Sequence, residues 1–99
     1  MNEQNQVNEG YTIIESMTVG NARFVIGENL NNPAAPYVTW QANVKNDPNN
    51  FFWGHYCATK LDAVADFAQR INAEAEYLRE RAKANTAPLQ ERKERGEER

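Results

Sequence analysis

Apolar and polar residues follow one another in short runs along the first half of the chain, as is typical of β-strands. The first two runs cover residues 11–19 and 22–26, and only Gly20 and Asn21 separate them. Glycine accepts a positive φ without steric cost, so the pair Gly20-Asn21 predicts a two-residue type II′ hairpin turn. This is the most specific local prediction that the chain offers.

Two further strands are predicted at residues 37–44 and 51–58. Between the second and third strands lie residues 27–36, whose three Asn, two Pro and one Gly predict a loop. A loop of this length in so small a domain is a candidate contact surface. A shorter polar stretch, residues 45–50, predicts the hairpin loop between the third and fourth strands.

After residue 59 the apolar residues take the spacing of an amphipathic helix. Thr59 is the candidate N-cap, and Asp62 supplies a favourable negative charge in the first turn. We expect the following apolar positions to pack on the sheet: residues 61, 64, 65, 67, 68, 71, 75 and 78.

The predicted elements give an α+β fold in β-β-β-β-α order: a four-stranded antiparallel sheet with one long C-terminal helix packed on one face. Residues 11–83 form the single domain. Residues 1–10 are almost wholly polar and predict a flexible leader, and residues 84–99 predict a charged, disordered tail. Because one helix covers one side of such a sheet, the other side is left for water, another chain or a ligand.

Composition narrows the class of protein. A chain of 99 residues, 40% of them hydrophobic, builds one domain with a thin core. No apolar run approaches the roughly 20 residues that a membrane span needs. One cysteine cannot form an internal disulfide, and the first residues lack a signal-peptide pattern. We therefore expect a cytoplasmic protein that has no membrane partner.

The formal charge of −3 hides an uneven distribution. Residues 1–78 carry four basic and nine acidic groups, whereas residues 79–99 carry seven basic and five acidic groups. Affinity for phosphate backbones comes from clustered Lys and Arg, which this acidic body lacks. The charge pattern therefore disfavours nucleic acid as a partner.

Residues for catalysis and metal binding are scarce. The chain has one His and one Cys, His55 and Cys57, which lie two apart on a predicted strand and share a face. Nothing in the sequence orients them as a nucleophile and its base. Two ligands fall short of the four that a closed zinc site needs, and the five glycines are scattered rather than gathered into a phosphate loop. We predict no enzyme activity, no catalytic residue, no cofactor and no metal.

Aromatic residues are concentrated in the hairpin of the third and fourth strands, which holds six of the ten. Whichever face the helix covers, alternation along the fourth strand leaves large rings on the other. These rings either stack across strands and reinforce the sheet, or form an exposed contact surface for a protein. Alternation predicts two sets, with Phe51, Trp53, His55 and Cys57 on one face and Phe52, Gly54, Tyr56 and Ala58 on the other.

If the rings form a contact surface, its centre is the hairpin and its border is the neighbouring loop. Aromatic side chains surrounded by Asn and Gln are typical of such surfaces. The residues predicted to bind a partner are Tyr37, Trp53 and His55 on the strands, with Asn31 and Asn32 in the loop.

Three segments carry a resemblance to a known family. They are PYVTWQ at residues 36–41, FWGHY at residues 52–56 and DAVADFAQR at residues 62–70. In these segments the chain resembles a family of small, largely uncharacterised domains encoded on conjugative elements and phages of gut bacteria. The similarity covers residues 11–78. It implies a mobile-element context and no activity, so no catalytic residue is carried over.

Together these observations predict a non-catalytic, protein-binding accessory module of a mobile genetic element that uses an exposed aromatic sheet face. Its partner is another protein, with a nuclease or a conjugation protein as candidates. One alternative is an inhibitor of a host defence nuclease, of the anti-restriction or anti-CRISPR type, that acts through its acidic body. Another is a homodimeric structural module formed through the uncovered sheet face or an edge strand.

Overall fold

The fold is an antiparallel sheet followed by one long helix. A computed structural model describes residues 6–86. Consecutive strands are neighbours throughout the sheet, in the order β1-β2-β3-β4-β5. This confirms the α+β class and the C-terminal helix, with five strands instead of four. The elements are β1 (Val7–Asn8), β2 (Tyr11–Val19), β3 (Ala22–Glu28), β4 (Tyr37–Asn43), β5 (Asp47–Cys57) and α1 (Lys60–Thr86).

The additional strand, β1, lies within the segment that was expected to be a flexible leader. Val7 pairs with Thr12 of β2, and the connecting turn has positive φ at both Glu9 (52°) and Gly10 (87°). Positive φ at both central residues is the pattern of a type I′ hairpin turn. Val7 is 61% exposed, so backbone pairing rather than apolar burial holds this strand. Most of the predicted tail, residues 87–99, lies outside the described residues, as do residues 1–5.

The hairpin between β2 and β3 forms as the sequence predicts. Val19 pairs with Ala22, and Gly20 has a φ of 59°. The end of the helix also approaches this turn closely, since a Cβ at Gly20 would lie 2.7 Å from Cδ1 of Leu78 and the Leu78 side chain would have to shift. The turn therefore provides both the reversal of the chain and the space for the end of the helix to approach.

The sheet is curled so strongly that one of its faces closes on itself. The rings of Tyr11 in β2 and Tyr56 in β5 lie 6.0 Å apart, although two strands separate them in the sheet. In a flat sheet, strands three places apart would be roughly 14 Å from each other. The face that lacks the helix, here called the concave face, is thus filled by the protein's own side chains. Its buried cluster consists of Tyr11, Val25, Val38 and Trp40, with Ile13 and Phe51 packed against it.

Arg23 joins the two ends of the curled sheet. Its Nη1 donates hydrogen bonds to the Pro48 carbonyl (2.8 Å) and to Oδ1 of Asn49 (3.1 Å) in β5. Its Nη2 donates to Oε1 of Gln6 (3.1 Å), beside β1, and its guanidinium lies 5.3 Å from the centre of the Phe51 ring. One side chain therefore bonds the last strand and the residue that precedes the first strand. The curl therefore buries Tyr11 and Trp40 on the face that was expected to be open, whereas Tyr56 on the same face stays 56% exposed.

The helix packs on the opposite, convex face and begins where the sequence predicts. Oγ1 of Thr59 accepts a hydrogen bond from the backbone N–H of Asp62 at 3.1 Å, as an N-cap does. Within residues 6–86, no helix combines the length and the apolarity that a bilayer crossing requires.

The predicted apolar stripe of the helix is partly wrong. Leu61 is 80% exposed and Val64 is 40% exposed, whereas Ala63 is fully buried. The predicted positions 65, 68 and 75 are exposed as well. The helix is rotated from the expected orientation because polar side chains bond to the sheet from the packed face. The half-buried residues of that face are Asp66, Phe67, Arg70, Ile71, Glu74 and Leu78.

Substitution of Gly27, in the middle of the concave cluster, tests the curl of the sheet. A Cβ at Gly27 would lie 2.9 Å from Cβ of Tyr11 and 3.1 Å from Cγ1 of Val38. We expect Gly27→Ala to lower the free energy of unfolding by about 1–3 kcal/mol, measured by urea denaturation, because the core is overpacked. The control Thr18→Val, at an exposed position of β2, should change it by less than about 0.5 kcal/mol. Equal stability of the two variants would contradict a closed concave face.

Candidate functional site

The site begins at an irregularity in β5. Thr39 of β4 pairs with His55, but Gln41, two residues further, pairs with Phe52, so β5 contains one extra residue between these two pairs. The extra residue makes a β-bulge at Trp53, which has a φ of 56°. The alternation of side chains between the two faces is reset at this point.

The bulge corrects the predicted division of aromatic residues. Phe51 was expected to share a face with His55, but it stacks on Trp40 in the concave cluster, with ring centres 5.7 Å apart. Phe52 was expected on the opposite face from His55, but it lies on the helix side with Glu74 of α1. A strict period of two holds only in a regular strand, and the bulge breaks it.

Trp53 is exposed and conformationally strained. Its side chain is 68% exposed, and a positive φ is an outlier for so bulky a residue. A hydrogen bond from the helix holds the bulge in place, because Nη2 of Arg70 donates to the Trp53 carbonyl oxygen. The next residue is glycine, and a Cβ there would lie 2.8 Å from Nε1 of Trp40. Gly54 therefore leaves room for the Trp40 ring beside the bulge.

A charged network beneath the bulge centres on Asp66. Its carboxylate accepts hydrogen bonds from Oγ1 of Thr39 in β4 and from Nε of Arg70 (3.0 Å), and lies 3.0 Å from Nδ1 of His55 in β5. Burial disfavours the charged form of Asp66. The hydrogen bonds from these three groups and the charge of Arg70 outweigh burial, so the pKa of Asp66 lies below its ordinary value.

Asp66 and Arg70 were not identified as site residues from the sequence, although both belong to the quoted segment 62–70. One signal was present: Asp and Arg four residues apart lie on the same side of a helix and can form an ion pair. The apolar pattern predicts the wrong face of the helix for Asp66. It places residues 64 and 68 towards the sheet, and in that orientation Asp66 would point to solvent.

His55 and Cys57 share the convex face, but they are not arranged as a base and a nucleophile. Sγ of Cys57 donates to the backbone carbonyl of His55 at 3.6 Å, and Nδ1 of the His55 ring is directed to Asp66. Burial raises the pKa of the Cys57 thiol, and the negative charges of Asp66 and Asp62 raise it further against the opposing effect of Arg70. The thiol is therefore held in its protonated, weakly nucleophilic form.

The described residues, 6–86, place no three His, Cys, Asp or Glu side chains together as a set of metal ligands. The ring of His55 is oriented by Asp66, so its Nε2 is directed away from the network, and the side chain is 60% exposed. The arrangement is suited to presenting a polar contact next to Trp53.

The other predicted contact residues lie away from Trp53. Tyr37 pairs with Cys57, four residues along β5 from Trp53, which corresponds to roughly 13 Å. The Tyr37 hydroxyl donates to Oε2 of Glu28 at 3.1 Å. This hydrogen bond raises the pKa of Tyr37, and desolvation and the negative charge of Glu28 raise it further.

The two asparagines of the predicted contact set lie in the loop between β3 and β4. Asn32 Nδ2 donates to the hydroxyl of Tyr11 (3.1 Å), which itself donates to the Ala35 carbonyl (2.6 Å). The backbone N–H of Asn31 donates to Oδ1 of Asn29 at 3.0 Å. Both residues make hydrogen bonds that order the loop. Of the five predicted contact residues, the structure brings together Trp53 and His55.

Beside Trp53 there is a cleft of about 230 Å³ between the sheet and α1, here called the Trp53 cleft. The Phe52 and Trp53 rings stand nearly perpendicular, at 85°, with their centres 4.9 Å apart. Glu74 of α1 lines the side formed by the helix. The remaining lining residues are Asn21, Ala22, Gln41, Ala42 and Asn43.

Two substitutions of Trp53 separate backbone strain from the contacts of the indole. Trp53→Ala and Trp53→Gly both delete the ring, but only alanine retains a Cβ at a φ of 56°. We expect the glycine variant to have a free energy of unfolding about 1 kcal/mol higher than the alanine variant, because the left-handed conformation is costly for residues with a Cβ. Chemical denaturation measures the difference. A more stable alanine variant would show that the bulge is not strained.

The lowered pKa of Asp66 predicts a specific dependence of stability on pH. The folded-state pKa lies below the unfolded value of about 4, so ionised Asp66 stabilises the fold above that pH, and this contribution is lost as the pH falls through the folded-state pKa. We expect Asp66→Asn to lower the free energy of unfolding at pH 7 by about 1–3 kcal/mol. As the pH falls from 5 to about 3, the wild type should lose more stability than the variant, because only the wild type has a carboxylate to protonate at this position. Identical pH profiles in urea denaturation would contradict this role.

Comparisons with known proteins find no match. No protein-family model matches the chain, and no curated protein or solved structure matches it either. The resemblance to a mobile-element family stays a prediction from the three quoted segments, and the geometry around Trp53 is the basis for a proposal about function.

Proposed function

We propose that the chain is a non-catalytic, protein-binding module whose contact surface is centred on Trp53. One observation carries the proposal: a large indole is exposed to solvent on a strained bulge. Strain of this kind costs about 1–3 kcal/mol and concentrates at functional positions. Trp is also among the residues that most often dominate the binding energy of a protein interface.

The surroundings of Trp53 favour binding because they pre-organise it. A hydrogen bond from Arg70 to the Trp53 carbonyl oxygen attaches the bulge to the helix, and an ion pair with Asp66 of the same helix holds the Arg70 side chain in place. A residue that is already fixed loses less conformational freedom when a partner binds. The contact surface is therefore a rigid projection instead of a flexible loop.

The neighbouring groups complete a typical interface composition. His55 is exposed beside the bulge, and the amides of Gln41 and Asn43 border the Trp53 cleft. An aromatic centre with a polar border is the usual anatomy of a protein contact. The proposal differs from the initial hypothesis of an exposed sheet face, because the curl of the sheet buries Tyr11 and Trp40 on that face and the bulge supplies the most exposed ring.

The state of His55 and Cys57 supports a non-catalytic role. The Cys57 thiol is held protonated, and its hydrogen bond goes to a backbone carbonyl rather than to an imidazole nitrogen. A catalytic thiol needs a lowered pKa and a base within reach of its sulfur. Neither condition is met by this pair.

The setting proposed for this module is a mobile genetic element, with a nuclease or a conjugation protein as the partner. This part rests on the resemblance of residues 36–41, 52–56 and 62–70. Nuclease inhibition through acidic groups and self-association also stay predictions from the sequence, since no observation in the fold favours either over a Trp53-centred contact.

Partner binding by variants at two exposed aromatic residues tests the proposal. The partner is first captured from cells that express the chain, then purified, and its affinity is measured by isothermal titration calorimetry. We expect Trp53→Ala to weaken binding by about thirtyfold, as loss of an interface hot spot does. The matched control is Tyr77→Ala, since Tyr77 is 55% exposed on α1 and lies outside the Trp53 cleft.

Tyr77→Ala should change the affinity by less than about twofold. Circular dichroism and thermal unfolding of both variants verify that they are folded. Retention of full affinity by folded Trp53→Ala would overturn the proposal.

A further inference from the structure

We propose that the Trp53 cleft binds an arginine side chain of the partner, held between the Phe52–Trp53 ring pair and the Glu74 carboxylate. This inference rests on the proposed function and specifies the chemical group that the contact surface recognises. The cleft offers two features that suit a guanidinium: aromatic faces, and a negative charge without a basic partner.

The aromatic part of the cleft has the geometry of a corner. The Phe52 and Trp53 rings meet at 85° with centres 4.9 Å apart, and both line the cleft. Aromatic faces attract cations through their negative π-electron density, and Trp does so most strongly. A planar guanidinium can stack on one ring while its edge meets the other.

Glu74 supplies the charge. It is half-buried on the packed side of α1, and it lines the same cleft. In the described part of the helix, Asp66, Glu76 and Glu80 each pair with a basic residue of α1. Glu74 has no such ion pair within residues 6–86.

Arg70, the basic residue one helical turn before Glu74, forms its bonds with other groups. Its Nε bonds Asp66 and its Nη2 bonds the Trp53 carbonyl oxygen. The Glu74 carboxylate is therefore left available to a positive group from outside, and a carboxylate binds the two parallel N–H groups of a guanidinium especially well.

The size and the border of the cleft also fit one side chain. Its volume of about 230 Å³ lies below the roughly 300–1,000 Å³ of sites for drug-sized ligands. Asn21, Gln41 and Asn43 also line the cleft, and an amide oxygen can accept a hydrogen bond from a guanidinium N–H group. No Lys or Arg lines the cleft, so its chemistry favours a cation over a phosphate or a carboxylate.

The direct test titrates the full chain with short peptides and monitors the Trp53 indole N–H by NMR. The probe is an acetylated and amidated Gly-Arg-Gly peptide, and its matched control replaces Arg by the neutral isostere citrulline. We expect the arginine peptide to shift the Trp53 signal, while the buried Trp40 signal stays in place. The citrulline peptide should bind at least about tenfold more weakly, because the charge is absent.

Variants of two helical carboxylates locate the charge. Glu74→Gln should weaken binding of the arginine peptide by about tenfold. Glu76→Gln, two residues further along α1 and outside the lining of the cleft, should leave it unchanged within about twofold. A third peptide, with Lys in place of Arg, should bind more weakly than the arginine peptide, since an ammonium group lacks the planar, two-pronged geometry of a guanidinium. Equal binding of the arginine and citrulline peptides, no binding of either, or an unaffected Glu74→Gln variant would overturn the inference.

The same variants separate this inference from the proposed function. If Trp53→Ala loses the partner but Glu74→Gln retains full affinity for it, the surface binds a protein and the arginine assignment is wrong. If Trp53→Ala retains the partner, the proposed function itself fails, whatever the peptides show.

Discussion

The Asp66 carboxylate connects the parts of this protein. It lies on α1 and bonds Thr39 of β4, His55 of β5 and Arg70 of its own helix. These contacts set the rotation of the helix on the sheet, and through Arg70 they fix the carbonyl of Trp53. A half-buried charge is tolerated where hydrogen bonds and an opposite charge compensate its lost hydration. Here the compensating groups come from three elements, so one carboxylate orders all of them.

The curl of the sheet buries apolar side chains on the face that the helix does not cover. A single helix shields one face of a five-stranded sheet, and the other face would expose aromatic rings. Here the strands twist far enough for Tyr11 and Tyr56 to meet, and Arg23 bonds both ends of the sheet. Glycine at position 27 leaves room for the rings that fill the concave side. The thin core inferred from composition is thus divided into two small layers, one under the helix and one inside the curl.

Much of the fold could be predicted from local patterns. Gly20-Asn21 gave the hairpin turn, the bounds of β2 are those of the first apolar run, and Thr59 gave the start of α1, because turn and cap geometry depend on a few adjacent residues. Trp53 and His55 were also recognised as neighbours on one strand.

Features that depend on contacts between distant parts of the sequence were missed. The rotation of α1 depends on Asp66 reaching Thr39, 27 positions away in the sequence. The bulge at Trp53 depends on how β5 pairs with β4. The alternation of apolar and polar residues along β5 does not show where an extra residue is inserted.

The order of the strands has a consequence for how the chain folds. Every strand pairs with the strand that follows it, so the sheet is a meander of consecutive hairpins. Contacts between residues close in sequence form early, because little loop entropy is lost in closing them. The sheet can therefore assemble hairpin by hairpin, starting from the Gly20 turn, before the helix docks. The contacts of Asp66 and Arg70 with β4 and β5 require the docked helix, so the support of the bulge that presents Trp53 depends on helix and sheet coming together.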